Sequence, residues 1–278
     1  MAKFGIGQSV RRVEDQRLIT GKGRNTDDIN PPGTAWGYVV RSPHPHARIV
    51  SIDTDAASAA PGVLAIVTAA DLDAAGDNAV PCFVPLQNRD GSEAPLPKHP
   101  VLVRDKARYV GDNIAFVVAE TREQAKDAAE LVAVEYEELP ALTATAVPAG
   151  VAAPVHDECP NNIAFDWHHG DAAAVDAGFA KAARVTRLEL INNRLVCNAM
   201  EPRAAVAEYD AAKGEVTVYT GTQGPWAFRD TIAANLGLPK EKVRVVTPDV
   251  GGGFGMKAMF YPEYTMCAFA AMKLGRPV

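Results

Sequence analysis

The stretch Asp249-Val250-Gly251-Gly252-Gly253-Phe254-Gly255-Met256-Lys257 constrains this chain more than any other. Its four glycines in five positions follow an apolar β-branched run, Val243-Arg244-Val245-Val246, and precede an amphipathic helix pattern. Glycine accepts positive φ, and without a Cβ it lets backbone N–H groups come close to a ligand oxygen. Phe254 is the one bulky side chain such a loop presents. The reading is a strand feeding a helix through a glycine turn, with that turn as the functional centre. The plain alternative is a tight strand-to-helix connection and nothing more.

Nucleotide binding fits the loop poorly. Gly253-x-Gly255-x-x-Ala258 matches the dinucleotide fingerprint in form, but that motif wants an acidic residue about 20 positions on. No acid follows Glu263, and a phosphate loop would need Gly-Lys-Ser/Thr where Gly255-Met256-Lys257-Ala258 stands. A dinucleotide-dependent dehydrogenase is therefore disfavoured.

Composition narrows the classes further. The 278 residues, 47% hydrophobic and 22% charged, suffice for one large or two ordinary domains. A net charge of -6 without a Lys/Arg cluster argues against nucleic acid as a partner. No apolar run reaches membrane-span length, and Met1-Ala2-Lys3-Phe4 leads into a polar segment rather than a signal peptide, so a cytoplasmic chain with no membrane partner is expected. Cys82, Cys159, Cys197 and Cys267 lie far apart with no C-x-x-C, as reduced thiols would. His168 and His169, adjacent in an extended chain, point to opposite faces, so no protein-held metal is expected.

Along the chain, residues 1–34 read as an extended arm, with Arg11-Arg12-Val13-Glu14-Asp15 and Thr20-Gly21-Lys22-Gly23-Arg24. From Ala35 the pattern is α/β (α+β). Strands are expected at Trp36–Arg41, Arg48–Ile52, Val63–Thr68, Ile114–Ala119 and Val132–Tyr136. Residues 74–104, rich in proline, form an irregular excursion. A capping box, Thr121-x-x-Gln124, opens a helix whose Ala125, Ala128, Ala129 and Val132 share one face. Residues 35–138 should thus form an α/β domain with helices on one side of a mixed sheet.

Residues 139–162, rich in Pro and Ala, read as a linker to a second unit over 163–278. That unit should hold a short helix at Asp171–Ala182 and a half-exposed strand at Arg184–Ile191. A hairpin from Ala205–Tyr209 to Glu215–Tyr219 follows, then a helix opening at Pro225, and a strand over 243–247. The last helix lines up Phe260, Tyr264, Cys267, Ala271 and Leu274 as core, and Gly275-Arg276-Pro277 ends it. The chain finishes at Val278 with no closing strand, which leaves an open edge and half a core.

Several stretches in one order resemble the molybdenum-binding large subunit of the xanthine dehydrogenase/aldehyde oxidase family, nearest in look to its aerobic carbon monoxide dehydrogenase-like branch. They are Arg12-Val13-Glu14-Asp15…Leu18-Ile19-Thr20-Gly21, Tyr109-Val110-Gly111-Asp112, Asn198-Ala199-Met200-Glu201-Pro202-Arg203, Thr222-Gln223-x-Pro225 and Gly251–Lys257. The resemblance implies that residues 35–138 are an a/b hammerhead domain and that the start of the molybdopterin-binding domain follows.

It further implies a molybdenum–molybdopterin cofactor, in the cytosine dinucleotide form, with the metal held by the pterin and not by side chains. Gln223 is similar to the glutamine that hydrogen-bonds an oxygen ligand of the metal. Gly252, Gly253, Phe254 and Gly255 are similar to the loop against the pterin, with Phe254 lining the substrate approach. For Glu201 and Arg203, buried charge pairing is an equally good explanation. Ala258 stands where purine hydroxylases carry a glutamate, which counts against xanthine.

Family large subunits are much longer, and the glutamate serving as general base lies in the part absent here. The implied protein is the N-terminal portion of a hydroxylase of small substrates (aldehyde, N-heterocycle or carbon monoxide). Its implied partners are a chain with the rest of the domain, a 2Fe-2S small subunit and an FAD-binding medium subunit. The alternative is a non-catalytic remnant or assembly subunit.

Overall fold

Alternating apolar residues become strands here wherever a neighbour is available to complete the backbone ladder. The computed structural model describes residues 7, 9–82, 86–143, 154–193 and 195–278; part of the expected linker, 144–153, lies outside these. Strands β1 (Trp36–Arg41), β2 (Ala47–Asp53), β3 (Val63–Val67), β4 (Lys106–Ala107), β5 (Asn113–Ala119) and β6 (Ala133–Glu138) make two separate sheets, ordered β1-β5-β3 and β4-β2-β6. Every pairing in them is antiparallel. This corrects the single mixed sheet expected over 35–138. Strands β5 and β2 each have both edges taken, so neither offers the other a ladder.

Every residue of β5 is buried. The strand is a central layer with a helix layer on each face. Helices α1 (Asp15–Leu18), α2 (Asp55–Ser58) and α3 (Ala69–Ala75) are short, and α4 (Arg122–Ala129) is the one that covers the outer face. The Thr121 hydroxyl accepts from the Gln124 N–H at 3.2 Å while the Gln124 side chain accepts from the Thr121 N–H at 3.1 Å. The expected capping box is therefore formed, and it aims Ala128 and Ala129 at Val117.

The mixed sheet lies in the second unit. A hairpin of β7 (Ala205–Asp210) and β8 (Glu215–Thr220) continues into β9 (Val243–Val246), which runs parallel to β8. Parallel neighbours need a crossover. It is α6 (Pro225–Asn235), with Pro225 in its first turn as expected. Helix α7 (Pro262–Leu274) packs across β7 and β8, and Val278 then exchanges two backbone hydrogen bonds with Ala207 on the outer edge of β7. That edge is therefore partly closed by the chain itself.

One hydrophobic core joins the two units. Leu72, Leu102 and Phe116 from the first meet Phe228, Ile232, Phe260 and Tyr264 from the second. The rings of Phe228 and Tyr264 stack at 5.3 Å, with Phe260 edge-on to both at 5.4 Å. Ion pairs rim this seam: Arg41 with Glu263 at 2.6 Å, Lys273 with Asp71 at 2.8 Å and Arg276 with Glu120 at 2.9 Å.

Two further expectations need correction. Helix α5 (Ala172–Lys181) forms behind its Asp171 cap but buries no residue, and the strand expected at Arg184–Ile191 is not a strand. Its side-chain alternation is present, but none of its backbone groups bonds another described residue, and an unpaired run is no strand. Nor does a helix follow the glycine loop directly. Met256–Ala258 is a single 3-10 turn, and α7 starts only at Pro262, where the fixed φ of proline suits a first turn.

Candidate functional site

Strand β9 delivers the chain to the glycine loop, where Gly251, Gly252 and Gly253 each answer a close approach and Gly255 instead holds φ 86° in open space. A Cβ on Gly251 would lie 2.6 Å from the Glu201 Cβ, and one on Gly253 would lie 2.6 Å from the Gln223 Oε1. Gly252 (φ 104°) lies under the ring of Phe254, where a Cβ would sit 2.8 Å from it. Phe254 itself adopts φ 51°, a left-handed conformation that costs a non-glycine residue about 1–2 kcal/mol. Its ring is 74% exposed. The loop thus spends backbone strain to hold an aromatic ring in the open.

Gln223 fixes the far side of the loop. Its side-chain oxygen accepts the Gly255 N–H at 3.0 Å, and its backbone N–H donates to the Lys257 carbonyl at 3.0 Å. Because Gly255 N–H is a donor, the amide can be oriented only with oxygen toward the loop. The Gln223 amide nitrogen then has no partner among the described residues, and neither have the backbone N–H groups of Gly252, Gly253 and Phe254.

Behind the loop lies a buried ion pair. The Lys257 ammonium, fully buried, donates to Glu201 Oε2 at 2.7 Å. Glu201 also accepts from Gly251 N–H at 2.8 Å and from Thr26 N–H at 3.2 Å. Burial works to raise the Glu201 pKa, but the Lys257 bond and the two backbone donors outweigh it and hold the pKa below the ordinary value. Glu201 therefore stays a carboxylate. Both ends of the loop, Gly251 and Lys257, are tied to this one side chain. Of the two readings of Glu201, pairing is the one observed; Arg203 instead stacks its guanidinium 3.4 Å over the Tyr261 ring.

The N-terminal arm does something sequence reasoning missed. It lies against the loop: the Arg17 guanidinium grips Asp249 with two hydrogen bonds, one at 2.7 Å. The Arg24 N–H donates to the same carboxylate at 2.7 Å, and Asn25 reaches the Asp249 carbonyl at 3.2 Å. The Arg17 bond, then Arg24 N–H, lowers the Asp249 pKa to about 2. Arg17 and Asp249 both fall in or beside stretches singled out above, but nothing in a sequence says that residues 232 apart will meet.

No group of three or more His, Cys, Asp or Glu among the described residues is placed to hold a metal ion. His169 stacks on Trp167 at 5.8 Å instead. Cys267, packed among apolar α7 neighbours, has its thiol pushed up to about 12 by that burial. A cleft of about 440 Å³ between His99, Tyr109, Asp112 and His156 lies away from the loop and includes none of Gln223 or Gly252–Gly255.

What the loop can do chemically is donate. Three consecutive backbone N–H groups and one neutral amide, all uncharged, are without hydrogen-bond partners among the described residues. Such a donor set suits a ligand rich in oxygen and poor in positive charge. A molybdenum–pterin group carrying oxygen ligands fits it. The site brings no acid or base with a free proton site, since Glu201 and Lys257 neutralise each other.

Comparison with known proteins places both units in known domain families. Residues 20–140 match the aldehyde oxidase and xanthine dehydrogenase a/b hammerhead domain, and residues 155–278 match the molybdopterin cofactor-binding domain. The carbon monoxide dehydrogenase large chain of Afipia carboxidovorans is 38% identical over 99% of this chain and 34% of its own length. The nicotine 6-hydroxylase large subunit of Paenarthrobacter nicotinovorans is 36% identical over 98% of this chain and 33% of its own. Quinoline 2-oxidoreductase from Pseudomonas putida 86 superposes with a TM-score of 0.85 at 36% identity, covering 100% of this chain and 34% of that one. The chain therefore spans about a third of the length of these relatives. With two domain matches in this order, a common fold and relatives matched along nearly all of this chain, the chain belongs to the aldehyde oxidase and xanthine dehydrogenase family of molybdenum hydroxylase large subunits.

Proposed function

We propose that this chain forms the N-terminal portion of a molybdenum hydroxylase large subunit and supplies the donor wall of its cofactor site. The observation that carries this reading is Gln223. Its oxygen is occupied by Gly255 N–H, so its amide nitrogen is left, without a described partner, to act as a donor alongside three backbone N–H groups that also have none.

When bound, the molybdenum–pterin group would supply two-electron redox chemistry and, from water, the oxygen atom. The chain's residues do the positioning. Gln223 would donate to an oxygen of the group without adding charge to it, and the Gly252–Gly255 backbone would hold it. Phe254, held exposed at φ 51°, forms one side of the substrate approach. Preorganised donors of this kind act by stabilising charge where it develops, at no reorganisation cost.

The general base belongs to the part of the relatives this chain does not span. The substrate class is small: an aldehyde, an N-heterocycle or carbon monoxide. Electrons would leave through 2Fe-2S and FAD subunits of a cytoplasmic complex, and the pterin would carry cytosine dinucleotide. No helix among the described residues is long and apolar enough to cross a membrane.

Replacing Gln223 by Ala in the assembled enzyme should reduce turnover by about ten- to a thousandfold while molybdenum content stays unchanged. Full turnover at full metal loading would remove Gln223 from the mechanism. An assembled complex that holds no molybdenum would instead favour a non-catalytic assembly role.

A further inference from the structure

Every polar group of Asp249 is held by the N-terminal arm. Its carboxylate accepts two hydrogen bonds from the Arg17 guanidinium and one from the Arg24 N–H. Its own N–H donates to the Arg24 carbonyl at 2.9 Å, and its carbonyl accepts from the Asn25 amide at 3.2 Å. Next along the arm, the Thr26 N–H donates to Glu201, the carboxylate that also takes the Gly251 N–H. Residues 17–26 thus fasten both acids at the entry to the glycine loop.

Stability alone does not account for this convergence. The Arg17 and Asp249 side chains are 42% and 22% exposed, and ion pairs so open to water contribute little to folding. Position does account for it. Strand β9 ends at Val246, and residues 247–250 belong to no helix or strand, so no ladder aims the chain into the loop. Two residues past Asp249 the close approaches begin at Gly251, and Phe254 is then held at φ 51°. A backbone conformation that unfavourable persists only where its surroundings over-determine it. Gln223 fixes the far end of the loop through Gly255. The arm is the matching support at the near end.

We propose that Arg17 is a positioning residue of the cofactor site: through Asp249 it sets where the backbone N–H groups of Gly252, Gly253 and Phe254 stand relative to Gln223. This role presupposes the proposed function and adds a residue of the arm to it. The guanidinium acts at one remove, on the residue two places before the loop.

The test is made in the assembled enzyme, with turnover expressed per bound molybdenum. Arg17→Met and Asp249→Ala should each lower kcat by about tenfold, as misplacement of a reacting geometry does, with molybdenum content and urea midpoint nearly unchanged. The double variant should be no slower than either, since both substitutions open one clamp. Arg17→Lys, which keeps the charge and a donor for Asp249, should recover part of the loss. Hydrogen exchange gives a readout apart from activity. In Arg17→Met the amides of Asp249 and Gly251 should exchange about tenfold faster, while that of Gly255, held by Gln223, should not change. Arg48→Met, which opens the exposed pair with Glu137 between β2 and β6, should alter none of these.

Full kcat per molybdenum in Arg17→Met would overturn the proposal. So would a loss of turnover matched by loss of metal or of urea midpoint, the mark of a purely structural pair. Recovery in the double variant would overturn it too, by placing the fault in the unpaired charge of Asp249 and not in its position. Slow Arg17→Met enzyme beside full turnover in Gln223→Ala would leave the clamp standing and sink the proposed function instead.

Discussion

Two stretches of this protein lack regular structure, and they lack it in opposite ways. The glycine loop, Gly251–Gly255, forms neither helix nor strand, yet Glu201, itself paired with Lys257, ties one end at Gly251 and Gln223 ties the other at Gly255. Residues 184–193 have the alternation of a strand but no bond to another described residue. Irregularity in the first is built by specific contacts. In the second it goes with the lack of any backbone partner among the described residues. The difference shows that hydrophobic pattern states what a segment needs, while pairing decides what it becomes.

That comparison breaks most sharply at the buried ion pair. Glu201→Gln or Lys257→Met, by leaving one buried charge unpaired, should destabilise the chain by about 3 kcal/mol, read from a shift in the urea midpoint. The double substitution should lose less than the sum, because neither charge is then stranded. The pair also sets an acid limit. The folded-state pKa of Glu201 lies below its ordinary 4.5, so its contribution is present above 4.5 and is lost as pH falls through the lowered value. Stability curves of wild type and Glu201→Gln should therefore converge in acid, and parallel curves down to the lowest pH would remove Glu201 as the loop's anchor.

A smaller effect, about 1–2 kcal/mol, is expected of Gly253→Ala. The added methyl would sit 2.6 Å from Gln223 Oε1 and must push that side chain off Gly255. Measured with Gln223→Ala as background, the penalty should largely vanish; an undiminished penalty would show that Gly253 is needed for its backbone alone. Smallest of all, Leu188→Lys should change stability by no more than about 0.5 kcal/mol, since the residue is 77% exposed. A large loss would mean that the segment is already packed, and the contrast between the two stretches would collapse.

Much of the fold was legible because its signals were local. The capping box at Thr121 and Gln124, the hairpin at Asp210–Gly214 and the Pro225 helix start each declare themselves within a few residues. The division of residues 35–138 into two sheets was not legible. It depends on which strand edges meet, as β5 takes β1 and β3 while β2 takes β4 and β6. At the site, Gln223 and the glycines were visible as motif residues, and the structure shows why each glycine is one. The Arg17–Asp249 clamp was invisible for the same reason as the sheets. An arginine in a polar lead-in looks solvated until the fold brings its acceptor to it.

The core shared by the two units also bears on how such subunits diversify. Phe116 and Leu102 of the hammerhead domain face Phe228, Phe260 and Tyr264 across one seam without an intervening water-facing surface. A chimaera that took its first 140 residues from one relative and the rest from another would inherit two half-cores selected apart. Recombination between family members is thereby penalised at this seam and tolerated at the exposed loops that take no part in it.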